Sequence, residues 1–205
     1  MKTECFVVGE LGENCYLLTD GEEAVLIDPG AEGDRLYDAV EKSGCILKKI
    51  LLTHGHFDHI GAVCTLAKRS GAKVYIHSKD APMLTDNSKN LSFMGGGIEY
   101  YTPDYMLDDI KQLTIGNTQI KVFHTPGHSS GSVCFLCEDV LFSGDLLFQN
   151  SIGRFDHGDL REELKSLKFL MDNFSDDTKV LPGHGPQTTI GTERTLNPYI
   201  VKHVK

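Results

Sequence analysis

The segment Thr53-His54-Gly55-His56-Phe57-Asp58-His59 constrains this chain more than any other, because four metal-type ligands fall within six positions. The apolar run at 49–53 reads as a short strand. After the segment, Ile60, Val63, Cys64 and Ala67 recur at i, i+3, i+4 and i+7, which predicts an amphipathic helix over 58–70 closed by Gly71. The cluster therefore sits between a strand end and a helix start. His54 and His56, two apart in extended chain, project to one side, and Asp58 and His59 on the first helical turn address a neighbouring point. Packed imidazoles repel once protonated, and a carboxylate buried among them needs a cation. The competing reading is a capped helix with surface histidines.

Three further motifs repeat the arrangement. His124-Thr125-Pro126-Gly127-His128-Ser129-Ser130-Gly131-Ser132 is a strand end followed by a loop shaped by Gly and Pro. His124 ends the strand and is expected to bond within the scaffold, leaving His128 on the loop to reach a metal. Ser143-Gly144-Asp145 ends another strand, and Pro182-Gly183-His184-Gly185 a fourth. Each alone is ordinary turn chemistry. Together they place ligand-type residues at the C-terminal ends of four strands, where open sheets assemble sites.

Around these motifs the chain alternates strands and helices in two halves of similar plan. A meander is predicted over 4–8, 14–19 and 24–27, then a helix over 34–43 with Gly44 as its cap. A strand at 73–76 precedes the irregular stretch 88–103, a possible flap over a site. Strands are predicted at 112–115, 118–124, 132–137 and 140–143. A helix from Asp159 follows, with Glu162 completing a capping box and Leu160, Leu164, Leu167 and Met171 as its buried stripe. A strand at 179–181 and a helix over 193–203, interrupted at Asn197-Pro198, end the pattern. Sheets covered by helices, an α/β architecture, follow from this alternation.

Composition narrows the function classes. Lys plus Arg number 20 against 29 Asp plus Glu, a net charge of −9, so neither nucleic acid nor an anionic membrane is an expected partner. Glu4 stands where a signal peptide would carry its apolar run, and no apolar stretch is long enough to span a bilayer, which points to a cytoplasmic protein. The six cysteines are scattered through apolar segments, and Cys134 and Cys137 are expected as buried free thiols rather than a metal or redox pair. Ser129, Ser130 and Ser132 lie in no nucleophile-elbow pattern.

With His-x-His-x-Asp-His followed in order by His128, Asp145 and His184, the sequence resembles the metallo-β-lactamase-fold superfamily over nearly its whole length. That resemblance implies one domain over residues 1–205, built as a four-layer αββα sandwich. It implies two divalent metal ions, one held by His54, His56 and His128, the other by Asp58, His59 and His184, with Asp145 bridging them. Neutral imidazoles and carboxylates suit Zn²⁺, and Fe or Mn accept the same donors.

The same positions narrow the branch. Asp145 stands where the most familiar β-lactamases carry Cys, and His56 where the flavodiiron oxygen reductases carry Glu. A chain of 205 residues leaves no room for the added domains of the RNA-cleaving members. Gly144-Asp145-Leu146-Leu147-Phe148, followed by Ser151-Ile152-Gly153-Arg154-Phe155-Asp156, looks like the glyoxalase II branch, the hydroxyacylglutathione hydrolases. There a Lys in this segment binds the glutathione carboxylate, and here Arg154 takes its place as the candidate substrate-binding residue, unless it pairs with Asp156 or Asp159. Full-length glyoxalase II carries a C-terminal helical domain, whereas this chain ends soon after Pro198, as in short bacterial and archaeal forms.

The resemblance thus implies hydrolysis of a small-molecule thioester or related acyl ester by an activated hydroxide, with Asp58 orienting the hydroxide as well as binding metal. The alternative is a mononuclear iron persulfide dioxygenase, which shares an Arg-containing segment. His77 is expected to be structural and His203 to be solvated, while His157, in the loop after Arg154, is open between facing the substrate and standing outside the site.

Overall fold

The computed structural model describes residues 1–94, 97–155 and 158–204. The fold follows from how β-strands distribute apolar side chains. Strands β1 (Lys2–Val8), β2 (Glu13–Asp20) and β3 (Glu23–Ile27) form an antiparallel meander, extended in parallel by β4 (Ile46–Leu51), β5 (Lys73–Ile76) and β6 (Tyr105–Met106). A second sheet runs in the order β14 (Thr188–Thr189), β13 (Lys179–Pro182), β10 (Val140–Gly144), β9 (Val133–Cys137), β8 (Thr118–His124) and β7 (Gln112–Ile115). Its only parallel pairing among the described residues is β10 with β13. The hairpin β11 (Leu147–Phe148) and β12 (Ser151–Ile152) stands apart.

Because side chains alternate across a strand, the unbroken apolar runs face two cores at once. Leu17 and Leu26 pack outward against helix α1 (Gly33–Ser43) and its neighbours, while Leu18, Val25 and Ile27 face the second sheet. On the other side Phe135 and Phe142 meet those residues, and Cys134 and Leu141 turn to the far helices. Three cores between two sheets and two helical flanks define a four-layer αββα sandwich. The same alternation puts Cys134 and Cys137 in different cores, and all six cysteines are free.

Three local expectations are corrected. The helix over 58–70 is two helices, α2 (Phe57–Ile60) and α3 (Val63–Ser70). The Ala62 N–H donates to the Pro29 carbonyl instead of continuing the ladder, and a Cβ on Gly61 would lie 2.3 Å from the Gly30 oxygen, so the 28–30 loop crosses at the break. In α4 (Leu160–Asn173), Asp159 caps by accepting from the Arg161 and Glu162 N–H groups. Its own N–H donates to the Gly127 carbonyl and Glu162 pairs with Lys165, so the capping box is only half made. The stripe of α4 also departs from the pattern: Leu160 is exposed, and Leu170 and the glutamate Glu163 are buried. The C-terminal helix is α5 (Ile190–Leu196) and α6 (Pro198–His203), broken as expected at Asn197. Among the described residues no helix is long and apolar enough to cross a membrane.

Candidate metal centre

The six expected His and Asp ligands that fall into two trios do so in space. His54, His56 and His128 form one, Asp58, His59 and His184 the other, the candidate ligand atoms of each lying within 4.8 Å of one another. Asp145 stands between them, with Oδ1 3.3 Å from His59 Nε2 and Oδ2 3.7 Å from both His128 Nε2 and His184 Nε2.

Hydrogen bonds behind the rings decide which nitrogens face inward. The Asp28 carboxylate lies 3.1 Å from His59 Nδ1, which is thereby the protonated nitrogen, leaving Nε2 toward Asp58 and Asp145. Thr53 Oγ1 donates to Asp28 at 2.5 Å and so accepts from His54 Nδ1 at 3.0 Å, which frees His54 Nε2. The Arg154 carbonyl accepts from His128 Nδ1 at 2.8 Å, which frees His128 Nε2. That nitrogen lies 3.2 Å from His54 Nε2 and 2.8 Å from His56 Nδ1.

Buried charge and orphaned atoms test whether cations fit here. Three nitrogens held about 2.0–2.1 Å from a tetrahedral zinc stand roughly 3.3 Å apart, close to the spacing of this trio. Burial and neighbouring imidazoles push His54 well down and His56 to about 3, which keeps their lone pairs free. In the other trio burial opposes charge, but the Asp145, Asp28 and Asp58 carboxylates raise His59 well above the usual histidine range. Burial would raise Asp145, yet the His59, His128 and His184 rings hold it far below the usual carboxylate range. His59 Nε2 and Asp145 Oδ1 are buried with no hydrogen-bond partner. A lone-pair trio beside a carboxylate centre that demands positive charge is a donor set suited to two divalent cations.

Residues not foreseen from the sequence hold this constellation in place. Asp28, at the end of β3 with φ at 50°, accepts from the Thr53 N–H as well as serving Thr53 Oγ1 and His59. Asp28 also makes a third trio with His54 and His59, its ligand atom within 4.8 Å of theirs, but both its oxygens are engaged in these bonds, which suits it to support the candidate ligands. Asp80 accepts from the Gly55 N–H, the Ser129 hydroxyl and the Gly131 N–H, clamping the His54–His56 loop to the His128 loop. The start of β2 anchors the His184 loop: the Asn14 N–H donates to the Gly183 carbonyl at 2.7 Å, and Asn14 Nδ2 to Pro182 and Gly185. Glu13 is buried beside His59 with neither oxygen hydrogen-bonded, and burial pushes its carboxyl well up. The signal for Asp28 was in the sequence, as a fifth carboxylate or imidazole at a strand end, where Asp-Pro-Gly reads equally well as a turn.

The remaining candidates separate cleanly. His124 is exposed, donates through Nε2 to the Ser130 carbonyl and stacks on His77 with centroids 4.1 Å apart, outside both trios. His77 is buried there as scaffold. Ser129 is tied to Asp80 and Ser132 and is no free nucleophile. Arg154 lines a cleft of about 320 Å³ with Leu11, Phe57, Leu91, Phe148 and the candidate ligands Asp58 and His184. Leu91 brings the 88–103 stretch to this wall, where the Asn90 carbonyl accepts the Phe57 N–H. His157 and Asp156 lie outside the described residues.

A two-sheet sandwich with this His and Asp centre at its strand ends defines a class of metal-binding hydrolase folds, and the comparisons agree. The family model described as the metallo-beta-lactamase superfamily matches residues 8–186, and the chain belongs to that superfamily. A probable metallo-hydrolase, YqgX of Bacillus subtilis, is 36% identical over 98% of both chains. The hydroxyacylglutathione hydrolase GloC of Haemophilus influenzae is 33% identical, again over 98% of both. Relatives matched along their whole length thus place the chain among the metallo-hydrolases of the superfamily. Among solved structures, the B3 metallo-beta-lactamase BLEG-1 superposes with a TM-score of 0.92 at 41% identity, covering 97% of this chain and 99% of that one. TTHA1623 in a di-iron-bound form gives 0.82 at 38%, covering 96% and 99%. ETHE1 from Myxococcus xanthus gives 0.83 at 28%, covering 98% and 84%.

Proposed function

We propose that the chain is a binuclear metal-dependent hydrolase of thioesters or related acyl esters, similar to glyoxalase II. The observation that carries this reading is the position of Asp145, whose two oxygens reach into both trios at 3.3–3.7 Å. Likeness to GloC and to a di-iron-bound structure supports it. His54, His56 and His128 would hold one cation, Asp58, His59 and His184 the other, and Asp145 both; zinc suits the donors, and iron or manganese would serve.

Cations held there supply Lewis acidity and a water whose proton is lost near neutral pH. The protein supplies position and exclusion. Asp58, partly buried and in the cleft wall, has one oxygen 3.1 Å from His184 Nε2 and orients the attacking water with its carboxylate. Leu11, Phe57 and Phe148 keep bulk water from the acyl group. Arg154 offers a guanidinium in the same wall for an anionic group of the thiol carrier. A thiolate leaves readily, so no strong general acid is required.

The test is elemental analysis of protein purified without added metal, run beside hydrolysis of thioesters and of a β-lactam. Two metals per chain with thioester cleavage, both lost in Asp145→Asn, is the expected result. One iron with oxygen uptake on glutathione persulfide would favour the dioxygenase reading, and preferential cleavage of the β-lactam would favour the activity named for BLEG-1.

A further inference from the structure

Two clefts meet at His56. The apolar one carries Arg154; the other, of about 590 Å³, lies between the 79–89 segment on one bank and the 126–130 loop with the first turn of α4 on the opposite bank. Nothing in the proposed reaction uses this second, larger cleft.

Its charges are unevenly matched. Asp159 is engaged as the cap of α4, Glu162 bonds Lys165 at 2.6 Å, and Asp80 accepts the three bonds that clamp the ligand loops. Lys89 pairs with Asp86 at 3.6 Å. Lys79 has no ion pair or side-chain hydrogen bond among the described residues, although acids outnumber bases 29 to 20 in the chain. Its backbone is fixed: the Lys79 N–H donates to His77 Nδ1, and the next residue, Asp80, is buried and bonded to the His56 loop through Gly55. The Lys79 side chain itself is exposed, and an ammonium with no ion pair among the described residues, carried on this fixed backbone into the cleft that His56 also lines, can receive an anion. Ser129 and Ser130 form part of the facing wall, and Met83 adds apolar surface for a short carbon chain.

We infer that this cleft is a second substrate arm in which Lys79, backed by Lys89, holds a carboxylate or phosphate on the half of the substrate turned away from Arg154. The inference rests on the hydrolase reading for the reaction alone, since anion capture by Lys79 does not depend on which bond is cleaved. The substrate class it names is an acyl thioester or ester with an anionic group on each side of the scissile bond.

Calorimetric titration of the metal-loaded protein tests this without turnover, using dicarboxylates from succinate to adipate against monocarboxylates of equal length. A monocarboxylate engages the metal centre only, whereas a dicarboxylate of fitting length also reaches Lys79. The expected advantage of the best dicarboxylate is about three- to tenfold, the range of one partly solvated charge-assisted contact. Lys79→Ala should abolish that ratio and Lys79→Glu invert it. No advantage in the wild type, or an equal advantage in all three proteins, would overturn the inference. Tighter binding of 3-phosphonopropionate than of the matched dicarboxylate assigns a phosphate to the arm, and the reverse order a carboxylate. If no thioester is hydrolysed while the ratio still depends on Lys79, the hydrolase reading falls and the arm stands. Hydrolysis with no Lys79-dependent ratio does the opposite.

Discussion

The Asp28 carboxylate stands 3.1 Å behind His59 and, through the Thr53 hydroxyl, also sets the tautomer of His54. One carboxylate at the end of β3 therefore orients a candidate ligand of each metal. Partners of this kind typically contribute 10- to 100-fold to metal affinity. Asp28→Asn is expected to weaken both sites by about that factor in chelator competition, with the fold retained. Unchanged affinity would show that the rings are held by packing alone.

Gly183 occupies a place no side chain can share, since a Cβ there would lie 2.2 Å from Asp145 Oδ1 and 2.6 Å from His59 Cε1. Gly183→Ala must displace one of them. The expected outcome is loss of at least one metal equivalent by elemental analysis, with a stability loss of about 1–3 kcal/mol from overpacking.

Glu163 is buried in α4 with neither oxygen hydrogen-bonded, and burial pushes its carboxyl up to about 8. The folded protein therefore holds a proton that the unfolded chain releases near pH 4.5. Stability from this group is complete below that pH and is lost as pH rises through about 8. Glu163→Gln removes the titration, so the variant should match the wild type near pH 4 and exceed it increasingly toward pH 8.5. A gain on the order of 1–2 kcal/mol, roughly 2–8 °C in Tm, is expected at the upper end, read by thermal melts across that range. A gap that stays constant with pH would place the proton elsewhere.

Arg154 lines the apolar cleft beside Asp58 and His184. A guanidinium gripping a carboxylate acts in ground and transition states alike, so Arg154→Ala should mainly raise KM. The expected loss in kcat/KM is about tenfold to a hundredfold for a thioester with an anionic thiol carrier, and less for a neutral one. Equal losses on both substrates would make the residue structural.

What the sequence determined by itself is the part written in local spacing. His54, His56, Asp58 and His59 lie within one strand-to-helix turn, and His128, Asp145 and His184 each end a strand or open the loop after it, so their types and order were legible before any tertiary contact was known. The strands 73–76, 112–115 and 118–124 were legible as well, because alternation and turn residues are local signals. Tertiary structure decided what depends on distant chain. The 28–30 loop splits the helix after His59 by taking the Ala62 N–H, and Gly127 takes the Asp159 N–H that a capping box would have used. Asp28 and Asp80 drew no functional reading from the sequence because the groups they serve, Thr53 and His59 for one and Gly55, Ser129 and Gly131 for the other, are 25 to 51 positions away. A ligand announces itself by its own chemistry, whereas the residue that aims it is recognisable only once the chain has brought its partner within hydrogen-bond reach.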